Sequence, residues 1–198
     1  MKRKIPARRW IGIFLVLAGL WIVASNIKPI FQPSNEEQFQ YKQEKMAPKA
    51  AKEKIGSKSL YPVRYKIGDQ IGELDIPKLP KTLPIFHGAN EDELEKGVGH
   101  FAGSVLPGEK DNSVLSGHRD TVFRQLGKIG KGDLFIVTTS AGKFTYKVRR
   151  TRIVDADDRT VIVPKPRATL TVTTCYPFSY IGNAPQRYIL IADLISST

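Results

Sequence analysis

From Tyr61 to the C-terminus the apolar residues come in short runs broken by glycine and proline. Runs of this length, bounded by turn residues, build strands rather than long helices. Ile71-Gly72-Glu73-Leu74-Asp75-Ile76 alternates with a period of two, and Pro77 ends it. Leu83 to Phe86 is a second extended piece, and Val114-Leu115-Ser116 runs into Gly117-His118 as a third. Leu134 to Thr139 and Phe144 to Val154 flank Ser140-Ala141-Gly142-Lys143, which reads as a hairpin. Thr169 to Thr174 is a β-branched strand that ends at Cys175, and Tyr188 to Leu194 is the last strand. One short helix is expected over 90–96. It opens with Asn90, carries Glu93 at the capping-box position, and stops before Gly97. The pattern predicts a mainly β fold of about eight strands, closed as a barrel or stacked as a sandwich.

The N-terminal third has a different character. Trp10 to Ile27 is uncharged and apolar. As a helix it would be about 27 Å long, close to the ~30 Å hydrocarbon thickness of a bilayer. Lys2, Arg3, Lys4, Arg8 and Arg9 precede it, and Lys28 follows. The positive-inside rule then puts residues 1–9 in the cytoplasm as a basic tail, and everything after 10–27 outside the cell. Val23-Ala24-Ser25-Asn26 offers no A-x-A site, which favours a single-pass anchor over a cleaved signal peptide. Residues 28–60 are rich in Lys, Glu and Gln and read as a stalk, leaving 61–198 as the folded domain.

Charge narrows the function classes. Six of the twelve excess positive charges fall within residues 1–28, so the domain itself is only mildly basic. That argues against a nucleic-acid partner, which needs a basic face on the folded part. The single cysteine excludes an internal disulfide and a Cys-rich zinc site. Three scattered histidines without a carboxylate pattern give no basis for a catalytic metal, and no cofactor is implied. His100 reads as a structural hydrogen-bonding residue, and His87 as an inert residue in a loop after Phe86. Glu109, Asp111 and the Asp155-Ala156-Asp157-Asp158 run could meet around calcium, but their spacing fits no EF-hand and solvated loops are the plainer reading.

Three residues can do chemistry together. His118 stands just past the end of one strand, Cys175 ends another, and Arg187 begins the last. A thiolate can attack a carbonyl, an imidazolium can protonate the leaving amine, and a guanidinium can hold the developing oxyanion. Singly, each has a plain structural role: a buried small hydrophobe, a turn residue, a solvated charge. Their common placement at strand ends makes an acyl-transfer site the better reading. The same three groups would serve a thiol peptidase that uses water. A non-enzymatic, tethered domain that binds wall polymer is the rival without chemistry.

These stretches resemble a known family. Leu115-Ser116-Gly117-His118-Arg119-Asp120 is similar to the sortase histidine motif. Thr171-Val172-Thr173-Thr174-Cys175 resembles the T-L-x-T-C signature, with Val172 in place of Leu, and Arg187 sits where sortases carry their arginine. Gly97 to Ser104, Leu106 to Glu109, and the run from Thr174 through Tyr188 are most similar to the class D branch. The resemblance implies an eight-stranded sortase β-barrel. It also implies a cysteine transpeptidase acting on secreted proteins that carry a C-terminal L-P-x-T-type sorting signal. Cys175 would form the thioacyl enzyme, His118 would be the proton donor, and Arg187 would stabilise the oxyanion. The acceptor would be an amine of a peptidoglycan precursor or of a pilin. By position, Ser116 and Thr173 would floor the substrate groove, and Val161 and Val163 would cover the Leu-Pro part of the signal.

Overall fold

The computed structural model describes residues 16–18, 21, 60–179 and 184–198. The chain divides into two units, 1–34 and 35–198. In the first, the described residues are helical. The membrane anchor expected over 10–27 lies almost wholly outside the described residues, as do the tail at 1–9 and nearly all of the stalk. Among the described residues no helix is long and apolar enough to cross a membrane.

The second unit is a closed barrel of eight strands: β1 (Gln70–Ile76), β2 (Lys81–His87), β3 (Val98–His100), β4 (Asn112–Ser116), β5 (Leu134–Thr139), β6 (Gly142–Asp155), β7 (Thr169–Tyr176) and β8 (Gln186–Ser197). Around the barrel they run β1-β2-β3-β4-β7-β8-β6-β5. The pairs β2–β3 and β4–β7 are parallel and the rest antiparallel. One short helix, α1 (Glu91–Lys96), connects β2 to β3, and a 3-10 turn lies at Leu126–Lys128. Asn90 caps α1 with the capping box that its sequence predicts.

Strand periodicity decides which side chains enter the core. Leu170 and Val172 of β7, with Leu190 and Ala192 of β8, join Leu74, Ile85, Leu115, Phe135 and Tyr146 in the main apolar cluster. The alternate residues face the other way. On that second face Ile189 and Ile191 pack with Val154 of β6 and Val161 of the β6–β7 loop in a smaller cluster. Thr171 lies there too, its hydroxyl donating to Asn112 Oδ1 at 2.7 Å. Loops cover this face, so β7 is buried on both sides through Cys175. A strand buried on both faces can carry threonines only if most find partners.

Two segments outside the strands anchor the loops. Tyr61 donates its hydroxyl hydrogen to the Pro107 carbonyl at 2.6 Å and lies 2.9 Å from Thr139 Oγ1, fixing the start of the domain. Burial, chiefly, pushes its phenol up to about 12. Asp111 takes a positive φ of 132°. Its Oδ1 accepts from the amides of Asn112 (2.7 Å) and Lys165 (2.6 Å). Asn112 Nδ2 in turn donates to the carbonyls of Val161 (3.3 Å) and Val163 (3.2 Å). These contacts hold the β6–β7 loop against β4.

Candidate active site

The site is built from the ends of three adjacent strands. β7 and β8 pair antiparallel with Cys175 directly opposite Arg187. Opposed residues in an antiparallel pair point to the same face. Here that face is the one carrying Ile189 and Ile191, away from the barrel core. On its other edge β7 pairs parallel with β4, Asn112 with Thr169 through Ser116 with Thr173. Continued two residues past Ser116, that register brings His118 level with Cys175. Cys175, His118 and Arg187 thus converge on one end of β4, β7 and β8.

Backbone contacts fix each of them. Gly117 N donates to the Thr173 carbonyl at 3.3 Å, and Thr174 Oγ1 donates to the Gly117 carbonyl at 2.7 Å. The residue before His118 is therefore tied to the two residues before Cys175. Gly117 has no room for a side chain, since a Cβ there would stand 2.6 Å from the Phe123 ring beneath it. His118's own carbonyl accepts from Phe123 N at 3.0 Å, which closes the turn after the histidine. Arg187 is 4% exposed, and its Nη1 donates to the carbonyls of Ala184 and Gln186 at 3.0 Å each. Those two bonds hold the guanidinium plane on the strand that faces the thiol. Cys175 is buried and forms no disulfide, and the His118 side chain is one-fifth exposed.

Several neighbours were not singled out as functional by their sequence. Arg119 is buried and forms a fork with both carboxylate oxygens of Asp120, each at 3.1 Å. Its Nη1 donates to the Pro177 carbonyl at 3.0 Å, joining the segment after His118 to the segment after Cys175. The Arg119 guanidinium holds the Asp120 carboxyl below its ordinary range. Glu91, at the start of α1, places Oε1 3.2 Å from His118 Nε2. On the opposite side of β7, Tyr176, Phe178 and Tyr188 pack as an aromatic cluster with centroids 5.4 to 6.3 Å apart. The adjacent Arg119-Asp120 pair and the place of Thr174 in the T-x-T-T-C run are the signals the sequence carries for these contacts.

The groove residues expected from the sequence also have definite places. Ser116 and Thr173 are paired neighbours on the same face as Cys175. Among the described residues, Thr173 Oγ1 is buried without a hydrogen-bond partner. Val161 is 3% exposed within the smaller apolar cluster, while Val163 is partly exposed. The other two histidines stack on each other, with Nδ1 atoms 3.1 Å apart. His87 ends β2 instead of lying in a loop. His100 is fully buried, and its Nε2 lies 2.9 Å from the Val105 carbonyl. Burial, above all, pushes His100 down to about 4, and burial lowers His87 as well. Three of the carboxylates weighed for calcium make contacts of their own. Glu109 accepts from Leu106 N, Asp111 from two amides, and Asp158 pairs with Arg152 and Thr160.

Comparison with known proteins agrees with this architecture. The family model described as "Sortase domain" matches residues 74–195. Sortase D of Bacillus subtilis (strain 168) is 40% identical over 204 residues, covering 99% of this chain and 100% of that protein. Among solved structures, the catalytic domain of B. anthracis SrtD is 42% identical. That match covers 73% of this chain and 98% of that one, with a TM-score of 0.59. A Clostridium perfringens Sortase D5 transpeptidase is 29% identical, covering 82% and 96%, with a TM-score of 0.60. With a sortase model spanning most of the barrel and a full-length relative at this identity, the chain belongs to the sortase family of cysteine transpeptidases.

Proposed function

We propose that this sortase cleaves an L-P-x-T-type C-terminal sorting signal and joins the upstream protein to an amine of the cell wall or of a pilin. The observation that carries the reading is the strand register that opposes Cys175 to Arg187 and brings His118 level with them. The Cys175 thiolate attacks the carbonyl of the signal's Thr, forming a thioester as the C–N bond breaks. His118 gives its proton to the departing amine. The Arg187 guanidinium sits where negative charge develops on the carbonyl oxygen, and a fixed donor there stabilises the transition state more than the ground state. The incoming amine then attacks the thioester, loses its proton to His118, and returns Cys175 as thiolate.

Thr173 and Ser116 form the groove floor in this reading. The buried, unpartnered Thr173 hydroxyl would donate to a backbone carbonyl of the bound signal. Val163 would touch the Leu-Pro portion, and Val161, packed beneath, would seat the loop. The segment 10–27 would anchor the chain as a single pass, with the barrel outside the cell, where signal and acceptor are found.

The test uses the full-length chain with a mixed pool of sorting-signal peptides and an amine acceptor, either hydroxylamine or a glycine oligomer. Mass spectrometry should show acceptor-joined products from one peptide subset. Hydrolysis alone would make the protein a thiol peptidase. No turnover of any peptide would remove the sorting-signal reading.

A further inference from the structure

The sequence Asn90-Glu91-Asp92-Glu93 opens α1 with three acids, as helix starts favour. Glu93 accounts for itself, since its Oε2 accepts from Asn90 N at 3.1 Å and closes the capping box. Glu91 is not used in the cap. It reaches across to His118, with Oε1 3.2 Å from Nε2.

Both ends of this contact are held by backbone. Leu94 seats α1 over β3, where Gly99 leaves space for it. A Cβ on Gly99 would stand 2.7 Å from the Gly88 carbonyl oxygen and 2.9 Å from Leu94 Cδ2. On the other side, the Gly117–Thr173 and Phe123–His118 hydrogen bonds fix the histidine's backbone. Glu91 is 58% exposed, so the contact lies at the solvent edge of the site.

An ionised carboxylate can only accept, so the nitrogen facing it must carry hydrogen. We propose that Glu91 is a positioning residue for His118. Its carboxylate keeps a hydrogen on Nε2 and leaves Nδ1 as the nitrogen that exchanges protons during turnover. The inference rests on the reading of His118 as proton carrier. In the first half-reaction the C–N bond breaks, and the departing amine takes the proton from Nδ1 while Nε2–H stays on Glu91. In the second, the incoming amine gives a proton back to Nδ1 as the C–S bond breaks. A base whose far nitrogen is oriented by a third group is a recurring arrangement in nucleophilic catalysis.

The test combines 15N NMR of the histidine rings with kinetics on the full-length chain. At alkaline pH, where the rings are neutral, the wild-type His118 should show a protonated Nε2. Glu91→Ala should give a mixture of tautomers, with kcat down about tenfold and KM within twofold. Glu91→Gln keeps the length and one acceptor oxygen, so it should retain part of both the tautomer preference and kcat. It also serves if the alanine variant folds poorly. An unchanged tautomer, or a kcat that holds or rises, overturns the positioning role. If the wild type turns over no signal peptide, the transpeptidase reading fails on that ground, and the NMR comparison alone still decides whether Glu91 orients the ring.

Discussion

Cys175 and Arg187 are Cα partners across the antiparallel β7–β8 ladder, so both side chains leave the sheet on the same face. A partner on a neighbouring strand is fixed by the whole ladder's register, so the two backbone positions cannot separate without a strand slip. Its Nη1 is committed to the Ala184 and Gln186 carbonyls, which orients the plane.

Arg187→Lys should therefore lose most turnover, by about a hundredfold in kcat, because a lysine's point charge cannot reproduce the oriented planar fork. Steady-state kinetics on the folded variant checks this. Retention of full activity would remove Arg187 from oxyanion stabilisation.

Thr174→Val should weaken both fold and function. The hydroxyl's bond to the Gly117 carbonyl is buried and joins the two strand ends that carry Cys175 and His118. Its removal should cost about 1–2 kcal/mol in urea denaturation and lower kcat.

Thr173→Val should separate substrate binding from stability. Among the described residues the buried Thr173 hydroxyl has no partner, so an isosteric apolar side chain should leave the fold as stable or slightly more so. KM for the signal peptide should rise several-fold. An unchanged KM would take Thr173 out of the groove.

Acid should destabilise the barrel through the buried His100. In the fold His100 stays neutral down to about pH 4, whereas in the unfolded chain it takes a proton near 6.5. The unfolded state thus binds more protons between these values, and the histidine's contribution to stability is present above 6.5 and lost as pH falls towards 4. The loss is roughly 3 kcal/mol. Denaturant titrations of wild type and His100→Gln should differ in their pH slope across that window. Identical slopes would contradict the account.

Period-two patterning located β1 and the second arm of the β5–β6 hairpin, which bury one face in the main core, while β7, buried on both faces, was legible as a run of β-branched residues ending at Cys175. The sequence put Cys175 and Arg187 at strand ends, and the β7–β8 register then set them opposite each other. β3 was not legible, because three residues, Val98–His100, carry no measurable period. The first residues of β4, Asn112 and Ser113, are polar, so that strand began too late in the sequence reading. β6 runs through two register shifts that alternation does not reveal. The least legible contacts were those between distant polar side chains. Glu91 reads as an ordinary first-turn acid, and Arg119 as a partner for its neighbour Asp120, until the fold also sets them against His118 and the Pro177 carbonyl.

The central claim is that Cys175 carries the acyl group in a site shared with His118 and Arg187. Intact-protein mass spectrometry after acid quench, with a sorting-signal peptide and no added amine, tests it most directly. The account predicts an adduct on Cys175 equal in mass to the peptide upstream of the cut, with release of the downstream fragment and no reaction in Cys175→Ala. Cleavage that continues in Cys175→Ala, or that proceeds with no adduct on the wild-type thiol, would contradict it.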